Sequence, residues 1–222
     1  MKKSSKLLVD AVSYFNISPD FAKKSVDANG NIILTGIFQR ADVPNQNNRI
    51  YRKELLEREV NKLLPLIKDN QLVGECDHPE QAIISFSNTS HKILDLWWNG
   101  NDVMGKVQII KGHPSGDKII ALLENGVKVG ISSRALGDVE PSSKYPEFAM
   151  YQDVDVVCEN LNLLTFDLVN NPSTYGSFLV TESLITEWNV NHLNKAYTNN
   201  NHISSSYDKK ILYFIHKYGS PI

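Results

Sequence analysis

The sequence predicts an α+β fold, and three observations carry that prediction. Two segments repeat apolar residues at helical spacing, several short segments alternate apolar with polar residues, and Asn99-Gly100-Asn101-Asp102 joins two of these as a hairpin turn does.

In chain order, residues 32–38 read as a strand, followed by the polar connection Asn45-Gln46-Asn47-Asn48-Arg49, whose asparagines favour an exposed turn. Residues 52–69 read as a helix. Leu55, Leu56, Val60, Leu63, Leu64 and Ile67 recur on one side, Glu54 precedes Arg58 by one turn, and Pro65 is expected to kink or shorten the helix. Residues 93–98 and 103–110 form the arms of the hairpin, with Trp97 and Trp98 as core or rim packing. Ser115-Gly116-Asp117 offers capping chemistry to a second helix through Ile119, Ile120, Leu122 and Leu123, and Gly126 ends it. Residues 127–132 alternate, with Val127, Val129 and Ile131 on one face and Lys128, Gly130 and Ser132 on the other. Residues 153–157 and 164–169 follow as strands. In the latter Leu164, Phe166 and Leu168 oppose Thr165, Asp167 and Val169, so Asp167 leaves the core face. Beyond Trp188 the asparagines and Ser204-Ser205-Ser206 mark a linker before the apolar Ile211-Leu212-Tyr213-Phe214-Ile215. The organisation expected is an N-terminal extension over 1–30, one domain over 31–188, and a tail over 189–222.

A chain of 222 residues buries one sizeable core, and 41% hydrophobic with 22% charged residues is an ordinary globular balance. The net charge of -2 gives no electrostatic case for nucleic acid or an anionic membrane surface, and no apolar run reaches the length of a membrane span. Cys76 and Cys158 are too few for a disulfide framework and imply a reducing compartment. No metal or cofactor is expected, since His78, His91 and His113 lack a two-histidine helical spacing or a cysteine cluster.

Two segments carry chemistry: Gly74-Glu75-Cys76-Asp77-His78-Pro79 and Gly130-Ile131-Ser132-Ser133-Arg134. A serine hydroxyl needs an imidazole to take its proton, and the imidazole needs a third group to orient it. His78, held between a glycine and a proline beside two acids, is the candidate base; the simpler reading is a turn histidine. His113 reads as a surface turn and His91 as strand packing. Alternation selects Ser132 over Ser133 as nucleophile, because Ser133 continues the apolar face; the simpler reading is a polar strand end. Ser133 and Arg134 are the candidate oxyanion donors. The third member is open among Asp167, Asp153, Asp155, Glu75 and Asp77, with Asp167 preferred for its place between Phe166 and Leu168. Cys76 is a poor nucleophile candidate, with nothing independent to orient His78 beside it.

These segments, with Gly36-Ile37-Phe38, Asn48-Arg49-Ile50-Tyr51, the Trp97-Trp98-Asn99-Gly100-Asn101-Asp102-Val103 run, and Phe166-Asp167-Leu168-Val169 ahead of Pro172-Ser173, resemble the prohead core proteases of tailed bacteriophages over residues 32–188. The resemblance implies an assemblin-type serine endopeptidase on a mostly antiparallel β-barrel surrounded by helices. Carried over, the family's histidine falls on His78, its nucleophile on Ser132 and its strand aspartate on Asp167, although assemblins use a second histidine as third member. It further implies action inside the prohead in the host cytoplasm, on scaffold and core proteins, the major capsid protein and itself, with self-association open. Cleavage is implied after a glutamate with an aliphatic residue two positions earlier. Ile185-Thr186-Glu187 fits, predicting a cut between Glu187 and Trp188; Leu122-Leu123-Glu124 also fits but lies in the expected helix. Arg134, Lys128 and Arg49 are candidate partners for the substrate carboxylate. A catalytically inactive head-assembly or scaffold protein of the same fold is the alternative, and a small esterase or amidase a third reading.

Overall fold

The computed structural model describes residues 6–12, 27, 29–77, 81–127, 129–170 and 179–181. Its elements are β1 (Lys6–Val12), β2 (Ile33–Arg40), β3 (Arg49–Ile50), α1 (Lys53–Lys68), β4 (Val73–Glu75), β5 (Thr89–Asn99), β6 (Asp102–Ile109), α2 (Pro114–Glu124), β7 (Gly130–Gly137), β8 (Val139–Pro141), β9 (Asp155–Val157), β10 (Asn162–Val169) and β11 (Leu179–Thr181). The strands form sheets of order β1-β7-β10, β11-β2-β6-β5-β4 and β3-β9-β8. Every pairing between strands is antiparallel except β3 with β9.

Local sequence explains the main elements. Helix α1 buries Leu55, Leu56, Val60 and Leu63, and Pro65 falls in its last turn, where one lost hydrogen bond leaves that apolar face intact. The β5–β6 hairpin closes at Asn99 opposite Asp102, with Gly100 at φ 62° supplying the left-handed turn. The cap of α2 differs from expectation. His113, not Ser115, is the N-cap, its Nδ1 accepting the Ser115 N–H at 3.3 Å, with Pro114 fixed in the first turn. Lys6–Val12, expected in an extension, instead runs beside β7 from Lys6 opposite Gly137 to Val12 opposite Ile131, giving that strand a second neighbour.

Phe38, Leu56, Ile93, Val107, Ile131, Phe166 and Leu168 belong to one core between the two larger sheets and the helices. Phe38 meets Phe166 edge-on with centroids 5.1 Å apart.

The expected barrel does not close among the described residues. The two larger sheets meet where β10 lies beside the β4 chain, and one parallel bridge, Cys76 with Leu168, joins them. Elsewhere along this seam side chains replace the ladder. Glu59 of α1 accepts the Leu163 N–H at 3.1 Å, and Thr165 Oγ1 donates to the Val73 carbonyl at 2.6 Å. An edge satisfied in this way needs no continuous hydrogen-bonded ring.

Candidate active site

Strand β7 alternates between two environments. Ile131 and Ala135 enter the core, while Ser132 and Arg134 take the other face. Ser132 is the register partner of Asp167 on β10, and residues directly opposite in an antiparallel pair share a face. Ser132 has no exposed surface, and its Oγ lies 3.5 Å from the Ser133 carbonyl oxygen. Ser133 stands opposite Phe166 and is likewise buried. The main chains of Ser133 and Arg134 are paired on both sides, to β1 and to β10.

Arg134 reaches diagonally to the acid opposite Ser132. Its Nε donates to Asp167 Oδ2 at 2.8 Å and its Nη2 to Asp167 Oδ1 at 2.6 Å, a two-point grip on the carboxylate. The same Nη2 lies 2.5 Å from Glu75 Oε2, a contact of opposite charges that lacks hydrogen-bond alignment and leaves that oxygen otherwise unpartnered. Nη1 donates to the Gln81 carbonyl at 3.2 Å. Asp167 Oδ1 also accepts the Glu75 main-chain N–H at 2.9 Å, and Glu75 Oε1 accepts the Ser85 N–H at 2.7 Å. All three charged side chains are buried, so each depends on the others for solvation. Burial raises the Asp167 pKa above the ordinary carboxylate value, with Arg134 opposing the rise.

His91 lies against this cluster. Its Nε2 is 3.0 Å from the Phe166 carbonyl oxygen and its Nδ1 is 2.9 Å from Ser90 Oγ. The carbonyl can only accept, so Nε2 carries the proton and Nδ1 takes the serine hydroxyl. Complete burial, reinforced by nearby Arg134, lowers the His91 pKa from 6.5 to about 4. Cys76 is also buried, and desolvation together with the Asp77 charge pushes its thiol up, away from the nucleophilic thiolate.

His78 lies outside the described residues, as do Lys128, Glu187 and Trp188. Before His78 in the chain, the Asp77 N–H donates to the Leu168 carbonyl at 2.8 Å, and three residues after it, Gln81 is bound by Arg134. No group of three or more metal-ligating side chains occurs among the described residues, and no described helix is long and apolar enough to cross a membrane. The surface hollows beside Ser142 and Tyr151, and beside Lys6 and Cys158, lie away from Ser132.

The family described as "Prohead core protein serine protease" matches residues 7–190. The chain belongs to this family. It is 36% identical over 115 residues to the prohead core protein protease of Enterobacteria phage T4, an alignment covering 51% of this chain. That alignment spans 54% of the relative, about half its length. The solved structure of the bacteriophage T4 capsid assembly protease, gp21, superposes with a TM-score of 0.63 at 28% identity, over 77% of this chain and all of that one.

In this prohead core protease family member, Asp167 and Glu75, both named as candidates for the third member, meet at Arg134, and Gln81 and His91, the latter read as strand packing, lie against them. A signal for the pairing of Arg134 with these acids existed: an arginine inside the run Gly130-Ile131-Ser132-Ser133-Arg134-Ala135-Leu136, bounded by apolar residues, demands a carboxylate partner if the strand is buried. The Gln81 contact uses a main-chain oxygen, which side-chain identity does not encode.

Proposed function

We propose that this chain is a serine endopeptidase that acts inside the phage prohead, in the host cytoplasm, during head maturation. Ser132 is the nucleophile and His78 the general base. The observation that carries this reading is the pinning of the His78 segment to the Ser132 strand pair. Asp77 is bound to Leu168, the neighbour of the residue opposite Ser132, and Gln81 is bound to Arg134, two positions from Ser132. In the sequence, His78 lies between these two anchors.

In this mechanism Ser132 Oγ bonds to the scissile carbonyl carbon as its proton passes to His78, which returns that proton to the departing amine. Water then attacks the acyl-enzyme, giving its proton to His78 and then to Ser132 as the new carboxylate leaves. Asp167 supports the pair from the face it shares with Ser132. Family membership supports scaffold, core and capsid proteins as substrates, and the chain itself is proposed as another. The proposed specificity is cleavage after glutamate with an aliphatic residue two positions earlier.

The test compares wild-type protein with Ser132→Ala by intact mass and new termini, alone and with scaffold protein. Cleavage by the wild type only is expected. Equal cleavage by both would remove Ser132 from the mechanism, and no cleavage by either, even with scaffold present, would favour an assembly protein without catalysis.

A further inference from the structure

Two of the three most exposed large hydrophobic side chains among the described residues, Ile83 at 80% and Phe86 at 82%, lie in the loop of residues 81–88 beside the candidate site. The third, Met150, sits between Ala149 and Tyr151 of the hollow away from Ser132. We infer that Ile83 and Phe86 form the surface that takes a hydrophobic side chain of the substrate peptide, the aliphatic residue two positions before the cut. The inference rests on the serine endopeptidase reading above and deepens it.

The loop holds these side chains out rather than folding over them. The Gln81 carbonyl accepts from Arg134 Nη1 at 3.2 Å, and the Ser85 N–H donates to Glu75 Oε1 at 2.7 Å, which ties the loop to the cluster around Asp167. Thr89 Oγ1 donates to the Ser85 carbonyl at 3.1 Å and Ser115 Oγ to the Ser87 carbonyl at 3.4 Å, while Cys76 and Asn88 exchange two hydrogen bonds at the base. Ile84 is half-buried, so one apolar side chain of the loop turns inward and the two beside it do not. Large apolar groups left outside in this way add almost nothing to stability, and their grouping marks a contact surface.

Position decides the occupant. Ile83 lies two residues from each of the anchors on Arg134 and Glu75, and Phe86 directly follows the second. Arg134 grips Asp167, the register partner of Ser132. The proposed reaction brings an extended peptide to Ser132. Such a chain advances about 3.3 Å per residue, so its residue two positions before the cut projects about 7 Å from the scissile carbonyl, on the same face as the glutamate. That side chain meets a surface beside the nucleophile, where the 81–88 loop offers apolar groups. Isoleucine and phenylalanine provide nothing to pair with a polar side chain, so they favour an aliphatic one. Two side chains also fall well short of the roughly 800 Å² per partner that stable association buries, which favours a peptide over a second copy of the chain.

The test measures kcat/KM of the full chain on a peptide copying residues 182–191 and on its Ile185→Ser version. Wild type should prefer the isoleucine peptide by about 10-fold or more. Ile83→Ser and Phe86→Ser leave the core untouched; each should reduce that ratio by about three-fold, and the double variant should bring it to within about two-fold of unity. A disturbed fold would slow both peptides alike, so the ratio reads contact with the side chain itself.

A double variant that keeps the wild-type ratio, or a wild type that cuts both peptides equally, would overturn the inference alone. An unchanged ratio together with a dimer that the double variant loses would assign the pair to a second copy, and overturn it too. The underlying reading is tested with a fluorophosphonate probe, whose phosphorus bonds to an activated serine oxygen as fluoride leaves. A wild type that is labelled yet cuts neither peptide would overturn the peptide surface while leaving Ser132 active. Labelling of Ser132→Ala as fast as wild type, or neither labelling nor cleavage by wild type, would overturn the endopeptidase reading and the inference with it.

Discussion

His91 Nε2 and the carbonyl oxygen of Phe166, 3.0 Å apart, occupy the space that a β-carbon on residue 74 would need. A Cβ built there would lie 2.0 Å from the Phe166 oxygen and 2.4 Å from His91 Nε2. A continued parallel ladder would join the Glu75 N–H to the Phe166 carbonyl; here the N–H goes to Asp167 and the carbonyl to His91. Gly74 is thus where backbone pairing between the two larger sheets gives way to side chains that belong to the candidate site.

Gly74→Ala should therefore lower stability by about 3 kcal/mol or more, at the upper end of overpacking effects, because one clashing atom is main chain and cannot rotate away. Denaturant unfolding checks this. A loss below about 1 kcal/mol would mean the seam can open by a few tenths of an ångström without cost.

His91 should make the fold sensitive to acid. The unfolded chain takes up a proton near pH 6.5, whereas the buried ring resists it until about 4. The unfolded state then binds more protons across this window, and stability falls as pH drops from 6.5 towards 4, by about 3 kcal/mol at most. Asp167 works in the opposite direction: its raised pKa lets the folded state take a proton first, so its own contribution improves as pH falls through that value. Comparing wild type with His91→Gln isolates the histidine. The stability difference between them should shrink on acidification, and a difference independent of pH would exclude a neutral buried His91.

Removing Arg134 should cost more than removing the charge of Asp167. Arg134→Met leaves two buried carboxylates without their cation, a loss of about 3 to 5 kcal/mol. Asp167→Asn keeps an oxygen to accept the Glu75 N–H and leaves one guanidinium facing one carboxylate, so the loss should be about 1 to 2 kcal/mol. Urea unfolding of both variants at neutral pH gives the order; the reverse order would show that Asp167, not Arg134, organises the cluster.

The parts of the fold written in local periodicity were legible in the sequence. Helix α1, the hairpin turn at Gly100 and the alternation of Ile131 and Ala135 with Ser132 and Arg134 each follow from neighbours a few residues apart. Alternation also indicated that Ser132 and Asp167 avoid the core face, and as register partners they share the opposite one. What stayed hidden depends on distant segments meeting. Glu75 and Asp167 are 92 positions apart, and only the placement of β10 beside the β4 chain shows that Arg134 grips Asp167 and that His91 replaces a ladder donor. The open seam was hidden for the same reason, since strand periodicity does not reveal which edges are stitched by side chains.

Of the two glutamate sequences that fit the implied specificity, Leu122-Leu123-Glu124 lies in a helix, and this predicts that it is not cut in the native protein. Leu122-Leu123-Glu124 closes α2, with Leu123 1% exposed. A protease takes its substrate extended, so cleavage after Glu124 requires the helix to unwind and Leu123 to leave the core, at a cost of about 2 kcal/mol for the side chain alone. Native wild-type protein should therefore yield no fragment ending at Glu124, and the fragment expected from the proposed specificity ends at Glu187. Glu187→Gln should abolish the fragment, and mild denaturant acting on Ser132→Ala, supplied as substrate to active wild type, should expose the Glu124 site. A Glu124 terminus from fully native protein would show instead that α2 opens readily, or that the bond is chosen on grounds other than the glutamate and the aliphatic residue before it.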